Sequence, residues 1–276
     1  ESPQYFINKG ITNTIKIDKE LIRYTKVVEE PYRLEGCFRG QYGTTPQTHQ
    51  AGVVVDKLTN NCYSGFYPDI HLQEAYAIRL AEVCNDTGLG LIDFDGYGYS
   101  PIGYDTYANA KFMDIWYKHL KKPVMICGSQ PSHYFWHICT FLNWGEPWYD
   151  ALRQSQVNYR IENQRFFERN FMPGMLGWFS LHSDYRPEDI EWIQARSVAF
   201  DAGYLLRVDE NSIEKNGFID QISEAVREWQ KARRTGAFPK DLIEKMKDPK
   251  TEYHLEKVAE NSWKISSVNF VQNAAE

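Results

Sequence analysis

The segment Leu91-Ile92-Asp93-Phe94-Asp95-Gly96 carries two carboxylates two residues apart. In an extended chain that spacing sets both side chains on one side of the strand. Gly96 lets backbone approach a ligand closely at the strand end, while an Asp-Gly pair also serves plain turn chemistry, with the aspartate capping backbone amides. Further on, Asn143-Trp144-Gly145-Glu146-Pro147-Trp148 places one carboxylate between two indoles. Apolar surroundings disfavour the charged form of a carboxyl group, which is the condition for a general acid working near neutral pH. The alternative for Glu146 is a helix cap or an arginine's partner. Two carboxyl groups in unlike environments are the equipment of glycoside hydrolysis. On this reading Asp95 is the nucleophile or base, Glu146 is the acid and Asp93 stands beside them.

Binding groups cluster around the same segments. Aromatic residues make up 15% of the chain, and Tyr and Trp offer flat apolar faces with a polar edge, as a sugar ring requires. Tyr97, Trp144, Trp148 and Trp178 are candidate platforms. His133, Trp136 and His137 follow another short apolar run. His133 and His137 are i, i+4 neighbours, but no third ligand is in view, and histidine also orients substrates by hydrogen bonding. Neither a metal nor a cofactor is expected. Asp209 and Glu210 directly follow Val208 and reach the same strand ends, whereas Asp201 precedes its strand and faces the opposite side. Near the N-terminus, Arg39-Gly40-Gln41-Tyr42-Gly43-Thr44 and then His49 form a glycine-rich turn with an arginine and an imidazole. It reads either as a binding loop or as a hairpin turn in which Arg39 pairs with a structural acid.

The elements that must position these groups divide by texture. Residues 1–68 alternate apolar and polar positions, as in Ile15-Lys16-Ile17-Asp18 and Leu21-Ile22-Arg23-Tyr24-Thr25, and predict a small antiparallel β module. Over 69–250, helices alternate with short apolar runs at 89–94, 124–127, 175–180 and 203–208. Tyr76, Leu80, Val83 and Cys84 define one helix, Ala108, Phe112, Ile115 and Trp116 another, and Phe218, Ile222, Ala225, Val226 and Trp229 the clearest amphipathic one. Ser183 or Asp184 caps a further helix, with Pro187, Glu188 and Asp189 in its first turn. Strand and helix in alternation imply parallel βαβ units. A complete barrel of the TIM type needs eight strands, so the expected fold is α/β, the C-terminal half of a (β/α) barrel after an N-terminal antiparallel module. Residues 251–276 begin a trailing β segment. An open doubly wound sheet would usually carry a glycine-rich phosphate loop, and neither GxGxxG nor GxxxxGK[ST] occurs.

Composition narrows the partners. The 276 residues are 42% hydrophobic and 25% charged, with net charge −6. That is an ordinary globular balance, without the clustered basic charge that binds nucleic acid or anionic membrane surfaces. The longest apolar stretches fall far short of the roughly 20 residues that span a bilayer. Five scattered cysteines without CxxC spacing read as small buried hydrophobes. The chain opens at Glu1 with neither an initiator Met nor a signal pattern, as a processed or excised form would.

The Arg39–Thr44 turn with His49, the Asp93-Phe94-Asp95-Gly96 strand end, Trp136-His137, Asn143-Trp144-Gly145-Glu146 and Ala199-Phe200-Asp201-Ala202-Gly203 together resemble the barrel domain of glycoside hydrolases from polysaccharide-degrading gut Bacteroidetes. The strand end is also similar to the nucleophile strand of α-galactosidase-like retaining enzymes. The resemblance implies a carbohydrate substrate, a periplasmic or extracellular setting and carboxylate catalysis without a cofactor. The strands fall short of that pattern's number, which leaves a second reading open: a non-catalytic carbohydrate-binding or structural fragment of a larger protein. A metal-dependent hydrolase built on His133, His137 and an acid is a third. Nothing in the sequence selects a glycan, a linkage or an oligomeric state.

Overall fold

A computed structural model describes residues 3–7, 13–60, 65–96, 105–129, 135–146, 152–153 and 156–268. The chain divides into two compact units, Glu1–Gly88 with Gly98–Lys121, and Leu89–Tyr97 with Lys122–Glu276.

The first unit holds β1 (Thr14–Ile17), β2 (Glu20–Arg23), β3 (Lys26–Val28), β4 (Arg33–Glu35) and β5 (Val55–Lys57). Strands β2, β1 and β5 form an antiparallel sheet in that order, and β3 and β4 form an antiparallel hairpin. The expected alternation is visible in their packing: Ile15, Ile22 and Tyr24 turn inward with Phe6, and Val27, Leu34 and Val55 pack around them. Two helices complete the unit, α1 (Ile70–Thr87) and α2 (Asp105–His119), packed against each other. The carboxylate of Asp69 starts α1 by accepting from the amides of His71 and Leu72 at 2.9 and 2.8 Å. The helix stops at Gly88, whose φ of 67° is the left-handed conformation that closes a helix. Ala77, Ala81 and Cys84 of α1 and Ala108, Met113 and Trp116 of α2 are buried.

The second unit contains β6 (Leu91–Phe94), β7 (Met125–Gly128) and β8 (Phe141–Leu142), three parallel strands in that order. After α3 (Val157–Arg169) come β9 (Gly174–Ser180), α4 (Pro187–Ala199) and β10 (Ala202–Arg207), with β9 and β10 parallel. The helices α5 (Glu210–Glu214), α6 (Ile219–Arg234) and α7 (Lys240–Lys245) follow, and the antiparallel hairpin β11 (Glu252–Ala259) and β12 (Ser262–Val268) packs back on α4 and α6. Every residue of α4 from Ile190 to Ala199 is buried. One core joins Leu176 and Phe179 of β9 to Ile190 and Ile193 of α4 and Ile222 of α6. A second joins α4 and Trp229 to Tyr253 and Leu255 of the hairpin. Among the described residues no helix is long and apolar enough to cross a membrane.

The expectation of a TIM-type barrel, or half of one, is overturned. Among the described residues the parallel strands form two separate small sheets, of three and two strands, and no barrel closes. Alternation of strand and helix dictates local parallel pairing, which is present, but not continuity of the ladder. Strand β8 is only two residues long, and its chain meets β9 through a hydrogen bond from the Trp178 amide to Gly145 C=O at 2.8 Å rather than through a ladder. Gly145 and Gly177 both have positive φ, 118° and 89°, and a Cβ on Gly177 would lie 2.3 Å from Trp144 O. Two glycines thus bring irregular backbone close where a regular ladder would continue. A second difference is local: α4 is capped at Arg186 rather than at Ser183 or Asp184, with the Asp189 carboxylate accepting from the Arg186 amide at 2.8 Å.

Candidate active site

Strands β6 and β7 pair in register, Asp93 opposite Cys127 and Phe94 opposite Gly128. The turn after β6 is tied to the end of β7 by the Gly96 amide donating to Ser129 Oγ at 3.0 Å. Asp93 is half-buried, and both its oxygens accept from Asn143 Nδ2, at 3.0 and 3.2 Å. Asn143 is itself buried and held by its amide to Gly128 C=O at 3.1 Å. Burial pushes the Asp93 carboxyl up, and the Asn143 bond opposes it. Asp95, beyond the strand, is exposed, and its carboxylate accepts no hydrogen bond among the described residues.

Glu146 is held by its main chain. Its amide donates to Gln156 Oε1 at 3.0 Å and its carbonyl accepts from Arg160 Nη2 at 2.8 Å. Arg160 on α3 is buried, and it also donates to Leu176 C=O at 2.6 Å and Trp178 C=O at 2.9 Å, with its guanidinium 4.2 Å above the Phe179 ring. Burial lowers the Arg160 pKa to about 10, still a cation at neutral pH. The Glu146 carboxyl is half-buried and accepts no hydrogen bond among the described residues. Burial raises its pKa, the negative field of Asp95 raises it further, Arg160 opposes and Asp93 adds a smaller push. Asp93, near the end of the β6 ladder, Asp95 just beyond it and Glu146 beyond β8 therefore lie within electrostatic reach of one another at the C-terminal ends of these strands, where open parallel sheets bind ligands.

The aromatic candidates separate. Trp144 is a packing residue: its indole donates to Ser129 C=O at 2.8 Å and lies 5.0 and 5.4 Å from the rings of Phe166 and Phe167. Trp178 sits beside the Glu146 loop on β9, half-buried, and its Nε1 meets no acceptor among the described residues. Trp136 is 54% exposed in the short turn after β7, with the exposed His137 ring 4.4 Å away. That turn packs at the strand ends through Phe135, whose ring is 6.1 Å from Phe94. Glu210 is exposed in the first turn of α5, where Asp209 is the cap, accepting from the Ser212 amide at 2.7 Å. Asp201 precedes β10 and pairs with Arg233 at 2.6 Å. Tyr97, His133 and Trp148 lie outside the described residues.

Arg39 and His49 belong to the other unit, where they surround an acid that the sequence did not single out. Glu20, its side chain fully buried, accepts from Arg39 Nε and Nη2 at 2.6 Å each, from the Gly40 amide at 3.0 Å and from the Gln47 amide at 3.1 Å. His49 Nε2 lies 2.8 Å from Glu20 and its Nδ1 2.9 Å from Asp18. The Arg39 guanidinium beside Glu20 holds that carboxyl far below the usual range, and Asp18 and Glu20 raise the His49 pKa. Arg39 is thus the partner of a structural acid, and the loop is locked by it.

Sequence reading also missed Arg160 and Gln156, which fix Glu146. No motif marks them, because their partners are main-chain groups. A cavity of about 660 Å³ opens at the N-terminal ends of β9 and β10, around Gly174, Asp201 and Phe238, and Asp93, Asp95 and Glu146 are not in its wall. Neither a family model nor a curated protein matches this chain.

Proposed function

We propose that the chain is a glycoside hydrolase in which Glu146 is the general acid and Asp95 the nucleophile or base. The observation that carries the reading is the unlike pair they make. Glu146 is half-buried, without a hydrogen-bond partner among the described residues and shifted toward its protonated form, while Asp95 stands exposed within its field. One carboxyl kept neutral beside one that ionises is how acid and base roles are assigned in glycosidases. Asp93, anchored by Asn143, adds negative charge that favours the protonated form of Glu146 and would stabilise an oxocarbenium-like transition state. Trp178 and the exposed Trp136 are the surfaces on which sugar rings would stack. A periplasmic or extracellular setting belongs to the same proposal, since polysaccharides are met there.

A reducing-sugar and mass-spectrometric screen against plant, algal and host glycans, with aryl α- and β-glycosides, tests it. The expected result is product release lowered by about 10²- to 10⁴-fold in Glu146→Gln, the range for loss of a general acid, with a comparable loss in Asp95→Asn. Product release unchanged in both variants overturns the assignment. Glycan binding without any release favours the non-catalytic binding module instead.

A further inference from the structure

Strands β9 and β10 end level with each other, Arg207 opposite Ser180, and the Leu181 amide closes the pair by donating to Arg207 C=O at 2.8 Å. Just beyond lies a crevice of about 280 Å³ whose wall includes His182, Asp184, Arg207, Asp209 and Asn211. It is small, just under the roughly 300–1,000 Å³ of ligand sites. The loop that forms one side is fixed before any ligand arrives. Buried Asn216 donates to the carbonyls of His182 and Tyr185 at 3.1 and 2.9 Å, and the His182 ring stacks on Tyr185 with centroids 5.0 Å apart. The Asp209 carboxylate is fixed by its bond to the Ser212 amide. By contrast, the side chains of His182, Asp184, Arg207 and Asn211 have no hydrogen-bond partner among the described residues.

The mixture of charges selects the ligand. Asp184 and Asp209 repel an anion, and Arg207 repels a cation. A group that donates and accepts at once can satisfy Arg207 and Asn211 as donors and Asp184 and Asn211 as acceptors. Sugar hydroxyls are such groups, and the exposed His182 face suits the apolar side of the ring. The crevice also continues the edge that carries the acids. The Trp178 amide is bonded to Gly145, next to Glu146, and Ser180 follows two residues along β9, roughly 7 Å at the rise of a strand.

We infer that this crevice is a further saccharide subsite and that the substrate is a neutral glycan chain, running from Asp95 and Glu146 along β9 to the end of β10. The inference rests on the glycosidase reading of that acid pair. Cello-, xylo-, manno- and galactohexaose, each with its disaccharide, are the probes. Calorimetric binding to the Glu146→Gln chain, alone and combined with Arg207→Ala or His182→Ala, is measured with ¹H–¹³C spectra of the His182 ring. One hexaose is expected to bind about tenfold more weakly in Arg207→Ala, its disaccharide unchanged, and to shift the His182 signals. In the active chain the same substitution raises KM for the hexaose and leaves kcat alone, as loss of uniform binding does.

Hexaose binding that is indifferent to both substitutions overturns the subsite, and so does the absence of any hexaose binding. If Arg207→Ala weakens binding but the unsubstituted chain releases no product, the subsite stands and the glycosidase reading falls. Turnover that needs Glu146 but is equal for hexaose and disaccharide, and untouched by Arg207→Ala, does the reverse.

Discussion

Arg160 hydrogen-bonds Glu146 through its main-chain carbonyl, not through its carboxylate. Arg160 Nη2 donates to the Glu146 carbonyl at 2.8 Å, and the Glu146 carboxyl is left without a hydrogen-bond partner among the described residues. A guanidinium turned toward the carboxylate would have stabilised its ionised form and removed it as an acid. Here the cation fixes the position of the acid and only partly offsets the rise in its pKa.

The pH dependence of activity follows in sign. A carboxyl group with a raised pKa stays protonated to higher pH, so activity is expected to fall on the alkaline side as Glu146 ionises. Removing the neighbouring charge in Asp95→Asn lowers the Glu146 pKa and moves any residual alkaline limb to lower pH. Profiles of kcat/KM against pH for the unsubstituted chain and that variant check both. An alkaline limb that survives in Glu146→Gln at the same pH would assign it to another group.

Arg160→Met keeps the bulk of the side chain but leaves three carbonyls, those of Glu146, Leu176 and Trp178, without that donor. A buried acceptor left unpaired costs about 1–3 kcal/mol, so a loss of roughly 3 kcal/mol is expected in urea denaturation. On the proposed glycosidase reading, the surviving folded chain should also turn over its substrate about 100-fold more slowly, the effect of misplacing a reacting group by around 1 Å.

The two glycines of β9 and β10 should respond differently to a methyl group. Gly177→Ala would drive a Cβ to 2.3 Å from Trp144 O at a φ of 89°, whereas at Gly203 the nearest atom is Met175 Sδ at 3.7 Å. The first substitution is expected to cost about 2–4 kcal/mol from backbone strain and overpacking. The second should cost little, and paired thermal melts distinguish them.

The Glu20 clamp should be tightest in a window of mildly acid pH. The folded-state pKa of Glu20 is depressed, so its contribution is present above the unfolded value of about 4.3 and is lost as pH falls. That of His49 is raised, so its contribution is complete below about 6.5 and is lost as pH rises through the folded value. Protection against hydrogen exchange at the Gly40 and Gln47 amides, both bonded to Glu20, measured relative to the free-peptide rate at each pH, should be greatest between those limits, and Glu20→Gln should remove the acid-side loss while the His49–Asp18 pair keeps the alkaline one.

What could be read from sequence was whatever has a short period or a local spacing. The apolar positions around Trp229 placed α6, the Asp-Phe-Asp-Gly string put two acids at the end of β6, and the Pro187-Glu188-Asp189 run does fall in the first turn of α4, although its cap is Arg186 rather than Ser183 or Asp184. What could not be read depends on distant partners. Glu20 draws its donors from residues 39, 40, 47 and 49, and main-chain carbonyls, which Arg160 uses, carry no sequence signal. Sheet continuity was likewise invisible, because it turns on two glycines with positive φ, Gly145 after β8 and Gly177 within β9, rather than on the count of strands.

The hairpin and the segment just before it supply counterparts for charges that α4 carries into the interior. Glu191 takes the Leu255 amide at 2.9 Å and the His254 ring at 2.9 Å as well as the Trp229 indole, while Arg196 reaches the carbonyls of Met246 and Thr251. A protease cut near Pro249 that released the hairpin would strip Glu191 of two of those three partners. The remaining fragment would have to admit water along α4 or come apart, so loss of the hairpin should reach β10 from behind.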